Sequence, residues 1–353
     1  MYPFKTEQHY PYNQWYVAAW SDEIKAELSA RQILGVSLVF YRDSEGGVVA
    51  MVDSCPHRRF PLSQGKLLGD TVQCRYHGFT FKSNGVCVSI PAQERVPAGY
   101  KVRTYPTVER WKWIWVWMGD PELADESLIP NHQVVKGGDA AWKPVIGGIE
   151  TSRARYALFH ENLMDLSHLS FLHEATIGSS GVATTQLELE EKEDHLQIAR
   201  YIRSDSVDNL PLAKALNMKG LVDRTMIQQF FAPSLHVTGS AFTSAQAGGD
   251  QPGTEFGSFR VIHAITPESP NSTHYFWAFT RNFLLDDQEI GERMKVPIYA
   301  ALKEDIFASE AIERGLAPDA KSAEDIHCKA DAAAIRGRTM IENLIVKEEN
   351  ARR

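Results

Sequence analysis

Two short ligand-type pairs stand out in the N-terminal third of the chain, Cys55-Pro56-His57 and Cys74-Arg75-Tyr76-His77, with 16 residues between His57 and Cys74. Each pair couples a thiolate former to an imidazole at the tip of a predicted β segment. A loop of that length aims two closely spaced ligands at one point, and two facing loops close a site. A structural zinc site with two cysteines and two histidines is one reading. Zinc fingers usually group like ligands, however, whereas each loop here offers one of each kind. That pattern suits two inequivalent irons, with both cysteines on one and both histidines on the other. Replacing two thiolates by neutral imidazoles makes a [2Fe–2S] cluster less negative and raises its potential to roughly −150 to +300 mV. Gly65 and Gly78 beside the loops are expected at tight turns with close backbone approach to the cluster. Of the other cysteines, Cys87 reads as a buried strand residue and Cys328 as a free thiol in a charged helical stretch, and His327 beside it makes no site. Four cysteines are too few for a disulfide scaffold.

A second constellation lies in HENLMDLSHLSFLHEATIG, residues 160–178. At about 100° per residue, Asn162, Asp165 and His168 fall within about 120° of one helix face, while His173 would sit about 140° round from His168. A straight helix therefore does not aim both imidazoles at one point. The helix is expected to break near Leu169–Phe171, or His173 to come from the following turn. Leu163, Met164, Leu166, Leu169, Phe171 and Leu172 ring most of the circumference, so the segment reads as buried and its polar groups need partners. Two buried histidines that simply bond backbone carbonyls would satisfy that need. A zinc hydrolase is disfavoured, because H-x4-H lacks the usual helical zinc signature. With an electron-transfer cluster upstream, two histidines plus one carboxylate make the facial triad of a non-haem Fe(II) oxygenase, which leaves positions open for O2 and substrate. The carboxylate must come from elsewhere. LKEDIFASEAIE (302–313) offers Glu304, Asp305, Glu310 and Glu313 on a helical pattern, any of which could instead be a solvated acid.

The positioning elements follow from periodicity. Residues 36–42, 46–53, 71–74, 79–83, 85–90 and 111–119 read as short strands separated by turn signals, a small all-β unit. In the last of these Trp111, Trp113, Trp115 and Trp117 alternate with other residues, which predicts a strand with aromatics along one face. Pro121 and the polar stretch through His132 mark a boundary placed near residue 140. The remainder reads as α+β, with strands at 196–203, 226–231, 258–265 and 273–281 and helical patterns at 156–173, 285–314 and 330–350. His236 and His263 lie on or beside these strands. Arg153 and Arg155 precede the histidine helix and read as structural or solvated.

The whole chain resembles the oxygenase component of Rieske non-haem iron oxygenases, in particular the vanillate and dicamba O-demethylase group. CPHRRFPLSQGKLLGDTVQCRYHGFTF (55–81) carries the Rieske motif, and N-L-M-D-L-x-H-x4-H runs from Asn162 to His173. Further shared stretches are NQWYVAAW (13–20), the IWVW-x-GD-x-ELAD segment (114–125), ITPES (265–269) and WAFTRNF (277–283). The departures are an N-terminal extension, residues 1–14, and an unfamiliar loop around 240–257. The resemblance implies a Rieske [2Fe–2S] domain over 1–140 and a catalytic domain over 141–353, an antiparallel sheet with helices of the helix-grip type. It implies Cys55 and Cys74 on one iron, His57 and His77 on the other, and a mononuclear Fe(II) on His168, His173 and Asp305. Positions near His236 and His263 are implied to line the substrate cavity, and Asn162 to face the iron without ligating it.

The resemblance also implies a homotrimer. Within one subunit the two metal sites of this family are too far apart for useful electron transfer, so the cluster of one subunit serves the iron of its neighbour. Asp165 is expected to bridge them, accepting from His77 of one chain and His168 of the other, as an acceptor between two imidazole donors. The implied reaction is O2-dependent oxidation of a small aromatic, first of all O-demethylation of a methoxybenzoate such as vanillate with formaldehyde release. Ring hydroxylation and N-dealkylation are the related alternatives. Electrons are expected from NAD(P)H through a separate reductase of flavin or ferredoxin type, since the chain has no G-x-G-x-x-G fingerprint after a strand. A Rieske electron carrier without an active site is disfavoured by the long remainder after residue 140.

Composition agrees. The chain has 353 residues and a formal net charge of −8, with 43% hydrophobic residues and 23% charged ones. Those values exclude disorder, and an acidic chain without a basic block is a poor partner for nucleic acid or an anionic membrane. With no long apolar run and no signal-peptide pattern, a cytoplasmic location is expected.

Overall fold

The computed structural model describes residues 2–6, 8–131, 136, 139–207, 213, 216, 218–245, 253–316 and 325–351. It divides into two compact units: Tyr12–Ile129 with Thr266–Pro270, and the rest of the chain.

The smaller unit is all β. Its strands are β1 (Trp15–Trp20), β2 (Ser29–Ile33), β3 (Val36–Arg42), β4 (Val48–Val52), β5 (Lys66–Leu68), β6 (Thr71–Gln73), β7 (Thr80–Lys82), β8 (Cys87–Ser89), β9 (Thr104–Tyr105), β10 (Thr107–Arg110) and β11 (Trp113–Trp117). They form three sheets, β1-β11-β10, β2-β3-β4-β9 and β5-β6-β7-β8. Val39, Met51, Leu62, Val72 and Phe81 build a core that also takes in Cys55, Cys74 and Cys87. The tryptophan run departs from the one-face expectation. Trp111 and Lys112 form a turn with φ of 55° and 67°. From Trp113 to Trp117 every residue is buried, because β11 is the central strand of its sheet and is covered on both faces.

The larger unit has a seven-stranded antiparallel sheet of β12 (Lys143–Ser152), β13 (Glu188–Glu191), β14 (Leu196–Ser206), β15 (Leu221–Phe231), β16 (Leu235–Ser244), β17 (Glu255–Ser269) and β18 (Ser272–Arg281), in the order β12-β18-β17-β16-β15-β14-β13. Its helices are α1 (Tyr156–Met164), α2 (Ser180–Thr184), α3 (Gln288–Leu316) and α4 (Ala332–Ala351), and α1 packs against α3 and α4.

The domain division differs from the expected one. The break falls after Ile129, and the N-terminal stretch up to Pro11 groups with the larger unit. Side-chain chemistry explains this: Tyr2 Oη donates to Asp325, Lys5 N–H to Glu342 and Gln8 Nε2 to Glu348, while Phe4 and Tyr10 pack on Tyr156. His132 and residues 246–252 of the 240–257 loop lie outside the described residues.

The histidine helix breaks earlier than expected. α1 ends at Met164, and Asp165 is extended at φ −100°, ψ 90°. The Asp165 carboxylate accepts from the N–H of Ser167 and so starts a new 3-10 turn over Leu166–Ser170. An aspartate in that cap position competes with continuation of the helix.

Candidate metal centres

The two Cys/His loops are near copies in their backbone bonding. Cys55 N–H donates to Phe60 O and Cys74 N–H to Phe79 O. Four residues after each cysteine, Arg59 N–H and Gly78 N–H return to the cysteine carbonyls. Both of those residues have positive φ, 61° and 75°. Cys55 and Cys74 are buried, while His57 and His77 are exposed with ring centroids 4.6 Å apart. Burial pushes the Cys55 thiol up to about 11. A thiolate there calls for a bound metal, which fits a metal–sulfur cluster with its cysteine end inside and its histidine end at the surface. Gly65 serves the loop through contact with neighbouring backbone: a Cβ there would lie 2.4 Å from Gln73 O.

In the larger unit His168, His173 and Asp305 converge, their ligand-type atoms all within 4.8 Å of one another. Asp305 Oδ1 lies 3.4 Å from His168 Nε2 and 3.0 Å from His173 Nε2. The far ring nitrogens are occupied. His173 Nδ1 meets Glu304 Oε2 at 2.6 Å, and His168 Nδ1 bonds the backbone carbonyl of Asp165. Both Nε2 atoms are thereby aimed inward, the arrangement that holds imidazole ligands for a metal. Burial alone would raise the Asp305 carboxyl, but hydrogen bonds from His168 and His173 outweigh it and hold the group well below the usual range. An anionic oxygen beside two fixed imidazoles is a donor set that fits non-haem iron.

Comparison with known proteins agrees with this donor set. Residues 14–106 match the Rieske [2Fe–2S] domain, and residues 152–347 match the vanillate O-demethylase oxygenase C-terminal domain. The chain is 36% identical over 346 residues to the iron-sulfur subunit of the toluene-4-sulfonate monooxygenase system of Comamonas testosteroni, covering 96% of this chain and 97% of that one. It is 33% identical to the vanillate O-demethylase oxygenase subunit of a Pseudomonas species, covering 97% of each. A crystal structure of dicamba monooxygenase bound to 3,6-dichlorosalicylic acid superposes with a TM-score of 0.87 at 34% identity, covering 96% of this chain and 98% of that one.

The chain belongs to the Rieske non-haem iron oxygenases.

This oxygenase is the terminal component of a multicomponent monooxygenase that takes electrons from a separate reductase. Its cofactors are a Rieske [2Fe–2S] cluster and a mononuclear iron. No described helix is long and apolar enough to cross a membrane.

The other candidate residues fall into place around these centres. Asn162 Nδ2 donates to Asp305 Oδ1 at 3.0 Å, and its own Oδ1 is buried without a partner. The Asp165 carboxylate was expected to accept from His168. Within the chain it is instead held by Ser167, through N–H and Oγ at 2.9 Å each, and the His168 bond goes to the Asp165 carbonyl. Of the four candidate acids of residues 302–313, Glu304 orients His173 and Asp305 faces both histidines. Glu310 accepts from Ser152 Oγ and Arg153 N–H, and Glu313 takes Arg155 in two 2.7 Å bonds at the start of α1.

A cavity opens beside the three converging groups. Its walls include Leu163, Leu166, Leu169, Val261 and Leu302, and its polar lining includes Thr238, Ser240, Arg224 and His263. His263 Nδ1 bonds Tyr275 Oη at 2.8 Å, while its Nε2 is buried without a partner. His236 does not line this cavity. It is buried in a polar string, with Nε2 2.6 Å from His160 Nδ1 and Nδ1 accepting from Gln228 Nε2 at 2.9 Å. The sequence offers Glu304 only as one of four candidate carboxylates for the iron, and it does not mark Arg224. A buried-face polar residue at strand spacing, as in Arg224-Thr225-Met226-Ile227-Gln228, is the signal that points to the second.

Proposed function

We propose that this oxygenase removes the methyl group of an anionic methoxyarene, a methoxybenzoate such as vanillate, and releases formaldehyde. His168, His173 and Asp305 hold its iron; Cys55, Cys74, His57 and His77 hold its cluster. The observation that carries the reading is the convergence of both Nε2 atoms on Asp305 Oδ1 in the wall of a mostly apolar cavity. Bound there, iron supplies reductive activation of O2 with electrons from NAD(P)H delivered through the reductase and the cluster.

The chain's own residues supply the rest. Glu304 and the Asp165 carbonyl fix the two rings, so neither imidazole can turn its Nε2 away. Asn162 shares the Asp305 oxygen with the two histidines and holds that carboxylate in one orientation. The leucine-rich walls keep water from the reacting methyl carbon and leave space for an aromatic ring. His263 presents its free Nε2 to a polar substituent. In the overall balance the methoxy carbon gains one oxygen atom from O2, the other leaves as water, and the hydroxymethyl ether collapses to a phenol and formaldehyde. The protein works as a trimer in which Asp165 links the iron of one subunit to the cluster of the next.

The 36% identity to a subunit of a toluene-4-sulfonate system supports a second reading, in which the substrate anion is an arylsulfonate. Formaldehyde release and O2 uptake, measured with purified oxygenase, a surrogate reductase and NADH, separate the two. Formaldehyde matching O2 uptake with vanillate supports demethylation. O2 uptake and product from toluene-4-sulfonate, without formaldehyde from any methoxybenzoate, favours the second reading.

A further inference from the structure

Arg224 lies in β15 on the face of the sheet that carries Met226, and both line the cavity beside the iron ligands. The register sets Arg224 opposite Phe242 of β16, with Ser240 opposite Met226, and Val261 and His263, farther along β17, line the same cavity. Its side chain is 3% exposed. A guanidinium in such a place ordinarily has a carboxylate partner or a full set of acceptors, because an ion without either is expensive to bury. Arg224 has neither. Its Nη1 reaches only the Ile177 carbonyl at 3.5 Å, its Nη2 only Ser240 Oγ at 3.3 Å, and its Nε is buried without a partner. Asp205 acts on it from beyond ion-pairing distance and is itself held by Ser179. The plane of the group rests over Phe242, 5.4 Å from the ring centroid. Burial pulls the guanidinium down to about 10, so it stays charged at neutral pH.

Long contacts, a free Nε–H and a fixed charge at a cavity wall describe a fork waiting for an acceptor-only anion. We propose that Arg224 is the anion receptor of the substrate cavity, binding the carboxylate or sulfonate of the aromatic substrate and setting which end of the ring faces the iron. His263 contributes the cavity's other unpartnered polar nitrogen. The assignment rests on the reading of the cavity as the site of an anionic aromatic. It explains why a mostly apolar pocket retains a cation with no ion-pair partner among the described residues, and it makes Arg224 a specificity residue that does not touch the reacting carbon.

The test uses the full-length holoenzyme. For turnover, vanillate is compared with its neutral amide in wild type, Arg224→Gln and Arg224→Lys. Loss of a charged hydrogen-bond pair predicts a KM for vanillate raised about 10–100-fold in Arg224→Gln. The preference for vanillate over vanillamide in kcat/KM should fall toward unity, with iron content and cluster absorbance unchanged. Arg224→Lys, which keeps the charge and loses the fork, should fall between. A purely structural role would weaken both substrates alike, and an unchanged vanillate-to-amide ratio in both variants overturns the proposal. Titration calorimetry with benzoate and benzenesulfonate separates this result from the proposed reaction. If wild type releases no formaldehyde yet binds either anion, and Arg224→Gln does not, the receptor stands and the demethylase reading falls. Equal anion binding by wild type and variant, or none by wild type, overturns the receptor.

Discussion

Nδ1 of His173 and Oε2 of Glu304 lie 2.6 Å apart, on the side of the imidazole opposite Asp305. Thr176 Oγ1 donates to the same glutamate oxygen at 2.9 Å. Burial disfavours a charged His173, but the hydrogen bonds to Asp305 and Glu304 outweigh it and raise the group's pKa. Glu304 therefore both fixes the ring and makes its inner nitrogen a better donor. Glu304→Ala should weaken iron binding about 10–100-fold. Iron retained per chain after dialysis against a graded chelator checks this, with cluster absorbance as the internal reference. Retention equal to wild type would show that Glu304 has no part in holding the metal.

Asp165 offers a cleaner separation of binding from turnover. Its carboxylate caps the 3-10 turn through Ser167, a job that an asparagine oxygen also performs. Asp165→Asn should therefore keep both metal centres and the melting temperature. The His168 bond goes to the Asp165 backbone carbonyl and survives the change, but asparagine's Nδ2 is a donor and, in the proposed trimer, cannot accept from the His77 imidazole of the neighbouring subunit. Turnover should fall about 100-fold. Stopped-flow oxidation of the reduced cluster in the presence of substrate reads the step directly, and wild-type kinetics would remove Asp165 from the electron path.

Arg59 and Gly78 hold the same place in the two cluster loops, and each loop needs the left-handed conformation there. Gly78 has a second constraint, since a Cβ would lie 2.7 Å from Pro91 Cγ. Gly78→Ala should cost about 1–2 kcal/mol from the backbone alone and more from the contact. Arg59→Gly relieves a similar strain and should be neutral or stabilising. Thermal denaturation and cluster loss on heating measure both.

Burial biases three histidines of the larger unit, His160, His236 and His263, toward the neutral form. Burial lowers His160 to about 3 and His263 to about 4, and it takes His236 well below its ordinary value. Their unfolded value is about 6.5. A group depressed on folding contributes stability that is complete above the unfolded pKa and lost as pH falls toward the folded one. Denaturant midpoints should fall steeply from pH 6.5 to 4, and His160→Gln should flatten that slope. An unchanged slope in the variant would show that His160 is not part of this linkage.

Much of this was open to reading in the sequence because the chemistry is local. Cys55, His57, Cys74 and His77 carry a spacing that short loops alone can satisfy. The Asp165 break was misplaced because it depends on a side chain capping its own successor, which apolar periodicity does not register. The tryptophans show the same blind spot: alternation identifies the strand Trp113–Trp117, but only the sheet order shows that both faces are covered. Glu304 looks like any acid on α3 until the fold sets it against His173. Arg224 went unread because the strand was expected from 226, whereas β15 starts at Leu221.

Metal content tests the central claim most directly. The purified holoenzyme should contain about three irons and two acid-labile sulfides per chain, two of the irons in the cluster. His168→Ala should reduce this to about two irons, with sulfide and the cluster spectrum unchanged. A wild-type protein with two irons per chain, a protein without labile sulfide, or a His168→Ala variant that keeps its full iron would contradict the account.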